Sequence, residues 1–217
     1  MTIRAIFWDN DGVLVDTEKL YFQSTREILR QIGIPFSEAL FRQISLAEGR
    51  SSFELAAERG YSSEAIERLV EARNRRYTEL LQAGVSIIDG VEETLAALKG
   101  RVTMGIVTSC RRGHFEAIHQ GTGTLLSHFA FILAREDYGL SKPDPEPYRT
   151  ALGKVGLPAE ACLVVEDSPR GLKSAVAAGI RCVVIPNALT AGSDFSAAWR
   201  VLASCREIPE LIGQANG

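Results

Sequence analysis

The chain has 217 residues, 46% hydrophobic and 24% charged, with a net charge of −3. This is globular composition, long enough for one large domain or a domain with an insertion. It carries no basic field suited to nucleic acid and no apolar run near the roughly 18 residues that cross a bilayer.

The first strand-like run, Ile3 to Trp8, ends in Asp9-Asn10-Asp11-Gly12. Two unit charges about 4 Å apart at an effective dielectric of about 20 repel by roughly 4 kcal/mol, so clustered carboxylates call for a cation or a shifted pKa. The sequence before Asp9 holds only Arg4 as a charge and shows no export leader pattern. A helical interval follows. Leu20, Ile28, Leu29 and Ile32 recur at helix spacing, and so do Ile66, Leu69, Val70, Tyr77, Leu80 and Leu81. Gly33-Ile34-Pro35 and Gly60-Tyr61-Ser62 break it, with Ser37 and Ser63 as N-caps. Arg73, Arg75 and Arg76, near Glu71 and Glu79, read as a solvated helix face. The turn Asp89-Gly90 precedes a helix over Val91 to Leu98.

Four further apolar, β-branched runs are Val102 to Val107, Phe129 to Leu133, Cys162 to Val165 and Cys182 to Ile185. Continuous apolar runs alternating with helices predict an α/β fold, a Rossmann-like parallel sheet flanked by helices. The interval of about 90 residues between the first two runs predicts an inserted helical module. Cys110, Cys162, Cys182 and Cys205 lack metal-ligand spacing and suit a reducing, cytoplasmic setting. His114, His119 and His128 lack it too and read as surface or helix-packing residues, and Cys110 as pocket lining.

Ligands of open parallel sheets bind beyond the carboxyl ends of the strands. There the chain places Asp9 and Asp11, then Thr108-Ser109-Cys110, then Ser141-Lys142-Pro143-Asp144-Pro145, then Glu166-Asp167-Ser168. Asp9 suits a covalent nucleophile and Asp11 a general acid/base, although Asp-Gly also makes turns. Glu166 and Asp167 offer hard oxygen ligands for Mg²⁺, or caps for a helix beginning near Pro169. Thr108 can donate to a phosphoryl oxygen or act as a turn residue, and Lys142 offers a point charge. No P-loop or dinucleotide-binding glycine pattern follows a strand.

These four segments resemble, in order and content, the motifs of the haloacid dehalogenase superfamily. Asp9 to Asp16 matches the first, Thr108 the second, Lys142 the third and Glu166-Asp167 the fourth. Lys142 to Pro145 and Val164 to Gly171 look like its β-phosphoglucomutase and phosphoglycolate phosphatase branch. The resemblance implies a catalytic core over residues 1–15 and 87–217 and a helical cap over 16–86. It implies Asp9 as nucleophile, Asp11 as acid/base, Thr108, Ser109 and Lys142 as phosphoryl-binding residues, and Mg²⁺ held by Asp9, the Asp11 carbonyl and Asp167, with Glu166 as ligand or supporting partner. Arg50, in a stretch like the branch's substrate-facing cap loop, would meet an anionic substrate group. The implied partner is a small phosphorylated metabolite, and the implied protein a monomer or weak homo-oligomer. Tyr21 stands where the branch's mutases carry a histidine, which favours an Mg²⁺-dependent phosphatase of sugar phosphates or phosphoglycolate over a phosphosugar mutase or a non-catalytic binding protein. Closure over the substrate predicts hinges near 13–17 and 84–90.

Overall fold

The computed structural model describes residues 2–217. Five strands form where the apolar runs lie: β1 (Ala5–Trp8), β2 (Thr103–Val107), β3 (Phe131–Leu133), β4 (Cys162–Glu166) and β5 (Arg181–Val184). A sixth, β6 (Arg200–Val201), was not expected; its two exposed residues give no apolar run to read. All pair in parallel in the order β3-β2-β1-β4-β5-β6.

β1 alternates its faces. Ile6 and Trp8 pack into one layer with Ile106 and Val165, beneath helices α5 (Val91–Leu98), α6 (Arg112–His119) and α9 (Ile208–Asn216). Ala5 and Phe7 enter the opposite layer with Tyr148 and Leu172 of helices α7 (Glu146–Val155) and α8 (Pro169–Ala177). Covering both faces is what turns each strand into a continuous apolar run.

The helical interval holds α1 (Glu18–Gln31), α2 (Glu38–Phe41), a π-helical turn (Arg42–Ala47), α3 (Glu54–Ala57) and α4 (Ser63–Gln82). It builds a second hydrophobic cluster around Phe22, Leu29, Phe36, Phe41 and Phe53, which Leu189 from beyond β5 joins. Ser37 caps α2 through the Leu40 N–H at 3.2 Å, as expected. The cap of α4 is Ser62 and not Ser63, because Ser62 keeps extended backbone and accepts from Ala65 N at 3.3 Å. The two connections to the sheet run side by side: Asp16 N–H donates to Ser86 O at 3.0 Å and Ile88 N–H to Leu14 O at 3.0 Å. No helix among the described residues is long and apolar enough to cross a membrane.

Candidate active site

Register decides which strand ends meet. β1 lies between β2 and β4, with Trp8 level with Ile106 on one side and Val165 on the other. One residue further, Asp9 donates its N–H to Val165 O at 2.9 Å and stands beside Glu166. The carboxyl ends of β1 and β2, with Lys142 and Arg170, therefore line one cavity of about 350 Å³, whose far side is formed by residues of the helical interval.

Lys142 organises the floor of this cavity. Its Nζ is buried and donates to Asp9 Oδ1 at 2.9 Å, Glu166 Oε1 at 2.6 Å and the Val107 carbonyl at 2.8 Å. Burial opposes the charge, but Asp9 and Glu166 outweigh it and push the lysine pKa upward. Glu166 is further held by the Tyr148 hydroxyl at 2.6 Å and by Ser168 Oγ at 3.3 Å. The helix after β4 is capped by Ser168, which accepts from Gly171 N at 3.3 Å, so capping does not account for Glu166 and Asp167. Gly171 leaves the room: a Cβ there would stand 1.9 Å from Glu166 Cδ.

Asp11 is held separately. One carboxylate oxygen accepts from the Thr17 hydroxyl, the other from Thr108 Oγ1 at 3.2 Å and Asn10 Nδ2 at 3.3 Å. Thr108 also accepts from Cys110 N at 3.0 Å. Ser109 lines the cavity with a buried Oγ that finds no partner among the described residues, a donor available to an incoming oxygen. His119 fixes the loop from below, its Nε2 2.8 Å from Asn10 Oδ1 and its Nδ1 2.9 Å from Thr122 Oγ1.

The negative charge here exceeds what Lys142 neutralises. Burial and the Glu166 charge push Asp9 up to about 7, and burial together with Glu18 and Glu166 raises Asp167 well above the usual carboxylate range. Oxygens of Asp9, Glu166 and Asp167 lie within 4.8 Å of one another. Three hard oxygen donors with surplus charge fit a divalent ion such as Mg²⁺. Because Lys142 and Tyr148 already occupy Glu166, Asp9 and Asp167 are the freer pair. Gly12 sits against Asp167, where a Cβ would come within 2.2 Å of Oδ2.

The structure adds residues that sequence reasoning passed over. Asn187 donates to Asp167 Oδ2 at 2.8 Å and to Glu18 Oε2 at 2.6 Å; it follows β5 and obeys the same strand-end rule that singled out the others. Glu18 is buried and pushed up to about 7, chiefly by that burial. Arg170 also lines the cavity. The expectation of a solvated face fails at Arg73, which is buried with its guanidinium 4.2 Å over the Tyr21 ring. Arg76 pairs with Glu27 at 2.6 Å, and Arg75 is exposed. Arg50 reaches the cavity rim, but its guanidinium is paired with Glu48 at 2.8 Å and with Glu54. All four cysteines are free, and Cys110 lines the cavity.

Sheet order, strand-end carboxylates and a buried lysine define a Rossmann-like α/β enzyme. The model of the haloacid dehalogenase-like hydrolase family matches residues 6–185, and the chain belongs to that family. It is 34% identical to Protein CbbY of Rhodobacter capsulatus over 97% of this chain and 100% of that one. It is 31% identical to a phosphorylated carbohydrates phosphatase of Thermotoga maritima over 82% of each. Among solved structures, CbbY from Rhodobacter sphaeroides in complex with phosphate superimposes with a TM-score of 0.80 at 25% identity, covering 95% of this chain and 96% of the other.

Proposed function

We propose that this hydrolase is an Mg²⁺-dependent phosphatase of small phosphomonoesters, of sugar phosphate or phosphoglycolate type, working through a phosphoryl group carried on Asp9. The observation that carries the reading is the division of labour between two aspartates. Asp9 is fixed by a buried ammonium, while Asp11, two residues on, is oriented by the neutral donors Thr17, Thr108 and Asn10. A relative in complex with phosphate, and phosphatases among the similar proteins, support it.

In this mechanism an Asp9 oxygen attacks phosphorus and the P–O bond to the substrate breaks, its oxygen leaving with a proton from Asp11. Asp11 then takes a proton from water as that water attacks the phosphorus, which breaks the bond to Asp9 and releases inorganic phosphate. Lys142, Thr108 and Ser109 hold the phosphoryl oxygens, with Lys142 and the unpartnered Ser109 hydroxyl aimed at the growing negative charge. Asp9 and Asp167, with the Asp11 carbonyl, would hold Mg²⁺, and Glu166 would position Lys142. When bound, the metal supplies charge compensation for these carboxylates and polarises a phosphoryl oxygen.

Residues 16–86 act in this reading as a cap over a core of 1–15 and 87–217, turning on the paired connections near 13–17 and 84–90. The protein works in the cytoplasm, where its free thiols stay reduced, on a small metabolite and as a monomer or weak homo-oligomer. Phosphate release from a panel of phosphorylated metabolites tests the function. Asp9→Asn is expected to lower turnover by about 10⁴-fold or more, and chelation is expected to abolish it; full activity in either case overturns the mechanism. Isomer formation without net phosphate release would identify a mutase instead. Because Asp9 and Asp167 must both lose their protons to hold the metal, and burial raises both, Mg²⁺ affinity is expected to rise with pH through neutrality, read by calorimetry; affinity independent of pH would exclude these carboxylates as ligands.

A further inference from the structure

The turn that follows β5 touches both the acidic cluster and the helical interval. Asn187 opens it, and every polar group of that side chain is committed. Oδ1 accepts from Leu189 N at 2.8 Å and from Thr190 N at 3.2 Å, which fixes the amide with its nitrogen directed out of the turn. The hydrogens of Nδ2 then go to two carboxylates, Asp167 Oδ2 at 2.8 Å and Glu18 Oε2 at 2.6 Å. The backbone closes the turn on itself. Asn187 N–H donates to Thr190 Oγ1 at 3.0 Å, Asn187 O accepts from Ala191 N at 2.8 Å, and Thr190 is fully buried. A turn cross-linked in this way moves as one piece.

The helical interval grips the same turn through three successive residues. Leu189 is 5% exposed and packs in the cluster of Phe22, Phe36 and Phe41; among the described residues it is that cluster's one member from outside residues 16–86. Arg42 Nη2 donates to the Ala188 carbonyl at 2.9 Å, and the Glu18 held by Asn187 opens α1. On the sheet side the turn reaches Asp167, one of the two carboxylates left freer for a metal. Gly12 leaves room for that contact, since a Cβ there would stand 2.8 Å from Asn187 Nδ2. When the helical interval shifts against the sheet, Leu189 must either leave its cluster or carry the turn along, and a turn carried along takes the Asn187 donor off Asp167.

We propose that the turn from Asn187 to Ala191 couples the helical interval to the metal site. Asn187 is a positioning residue for Asp167, and Leu189 makes the orientation of that carboxylate depend on how the interval sits. This rests on the reading above, in which Asp167 holds Mg²⁺ and residues 16–86 close over the substrate. A group that hydrogen-bonds a liganding carboxylate fixes its orientation, and loss of such a group weakens metal binding by about 10–100-fold. Coupling of this kind is reciprocal: what Leu189 contributes to Mg²⁺ affinity, Mg²⁺ returns as a preference for the seated position of the interval.

The test is calorimetric binding of Mg²⁺ alone to the whole protein, for the wild type, Asn187→Ala, Leu189→Ala, the milder Leu189→Val, and Leu189→Met. Urea unfolding of the metal-free proteins establishes that each variant folds. Asn187→Ala is expected to raise the Kd about tenfold or more. Leu189→Ala, whose change lies in the aromatic cluster and not among the carboxylates, is expected to raise it about fivefold, with Leu189→Val between it and the wild type. Leu189→Met, which refills the space, is expected to bind within about twofold of the wild type. Mg²⁺ is also expected to slow proteolysis at 13–17 and 84–90, and to do so less in Leu189→Ala. An Asn187→Ala variant with the wild-type Kd overturns the positioning role. Wild-type affinity in Leu189→Ala, a loss that Leu189→Met shares in full, or equal protection from proteolysis overturns the coupling and leaves Asn187 a local partner of Asp167. If Leu189→Ala does not fold, Leu189→Val decides by the same criteria. A wild type that binds no Mg²⁺ overturns the metal reading and the coupling together, whereas an unaltered Kd in the variants overturns the coupling alone.

Discussion

The two walls of the cavity hold their charges by different means. On the sheet side Asp9 and Glu166 share the one ammonium of Lys142 through hydrogen bonds of 2.6 to 2.9 Å, with the two carboxylates placed by the register of neighbouring strands. On the helical side Arg73 rests on aromatic faces and Arg50 on exposed carboxylates, contacts supplied by α1 and α4 and by the turn after the π-helix. Backbone pairing thus fixes the sheet-side wall, whereas side-chain packing shapes the helical wall opposite it.

The largest effect is expected where the sheet-side network is cut. Lys142→Met leaves two buried carboxylates without their cation, and breaking such a pair costs about 3–5 kcal/mol. Urea unfolding of the metal-free protein should show that loss, and wild-type stability in the variant would break the contrast between the walls. Gly171→Ala comes next, because its new Cβ would stand 1.9 Å from the fully buried Glu166 Cδ. Overpacking of this kind costs about 1–3 kcal/mol. Phosphate release should fall with it, since Glu166 positions Lys142; an active, fully stable variant would show that the network tolerates movement.

Protonation gives a smaller effect of predictable sign. Burial lowers His119 to about 4 from its ordinary 6.5, so the folded protein keeps it neutral where the unfolded chain is charged. Its contribution to stability is therefore complete above 6.5 and lost as pH falls towards 4. By linkage this amounts to about 2 kcal/mol between pH 7 and 5. In His119→Gln that share of the pH dependence should disappear from urea midpoints at the two pH values. An unchanged slope would mean that His119 is not held neutral beneath the Asn10 loop.

The same contrast explains what could be read from the residues. The buried strands were legible because both faces are covered, and Val91 to Leu98 because its apolar spacing and its Asp89-Gly90 turn agree. The strand-end residues were legible because a carboxylate or lysine after an apolar run has no packing use. β6 has no such run. Asn187 was hidden by an ordinary-looking Pro186-Asn187 loop, and Tyr148 by resembling any core aromatic of an amphipathic helix, its hydroxyl contact to Glu166 being set by tertiary packing. Arg73 misled most: Glu71, Asn74, Arg75 and Arg76 beside it are polar or charged, and the rings it packs on are Tyr21 of α1 and Phe53. Local patterning reports the face of a helix, not what a distant segment lays across it.

Arg50 supplies the smallest effect and the sharpest control. Its side chain is half exposed, and its ion pairs with Glu48 and Glu54 lie at the cavity rim, where exposed pairs contribute about 0–1 kcal/mol. Arg50→Ala should therefore leave the thermal midpoint nearly unchanged, within a degree or two by differential scanning fluorimetry. Its charge is already shared between two carboxylates, so an anionic substrate group would have to displace one of them, and any rise in KM should be small. A large rise in KM with an unchanged midpoint would show instead that the rim loop gives up its own carboxylates to hold the substrate, and that the exposed pairs are a resting state of a binding residue.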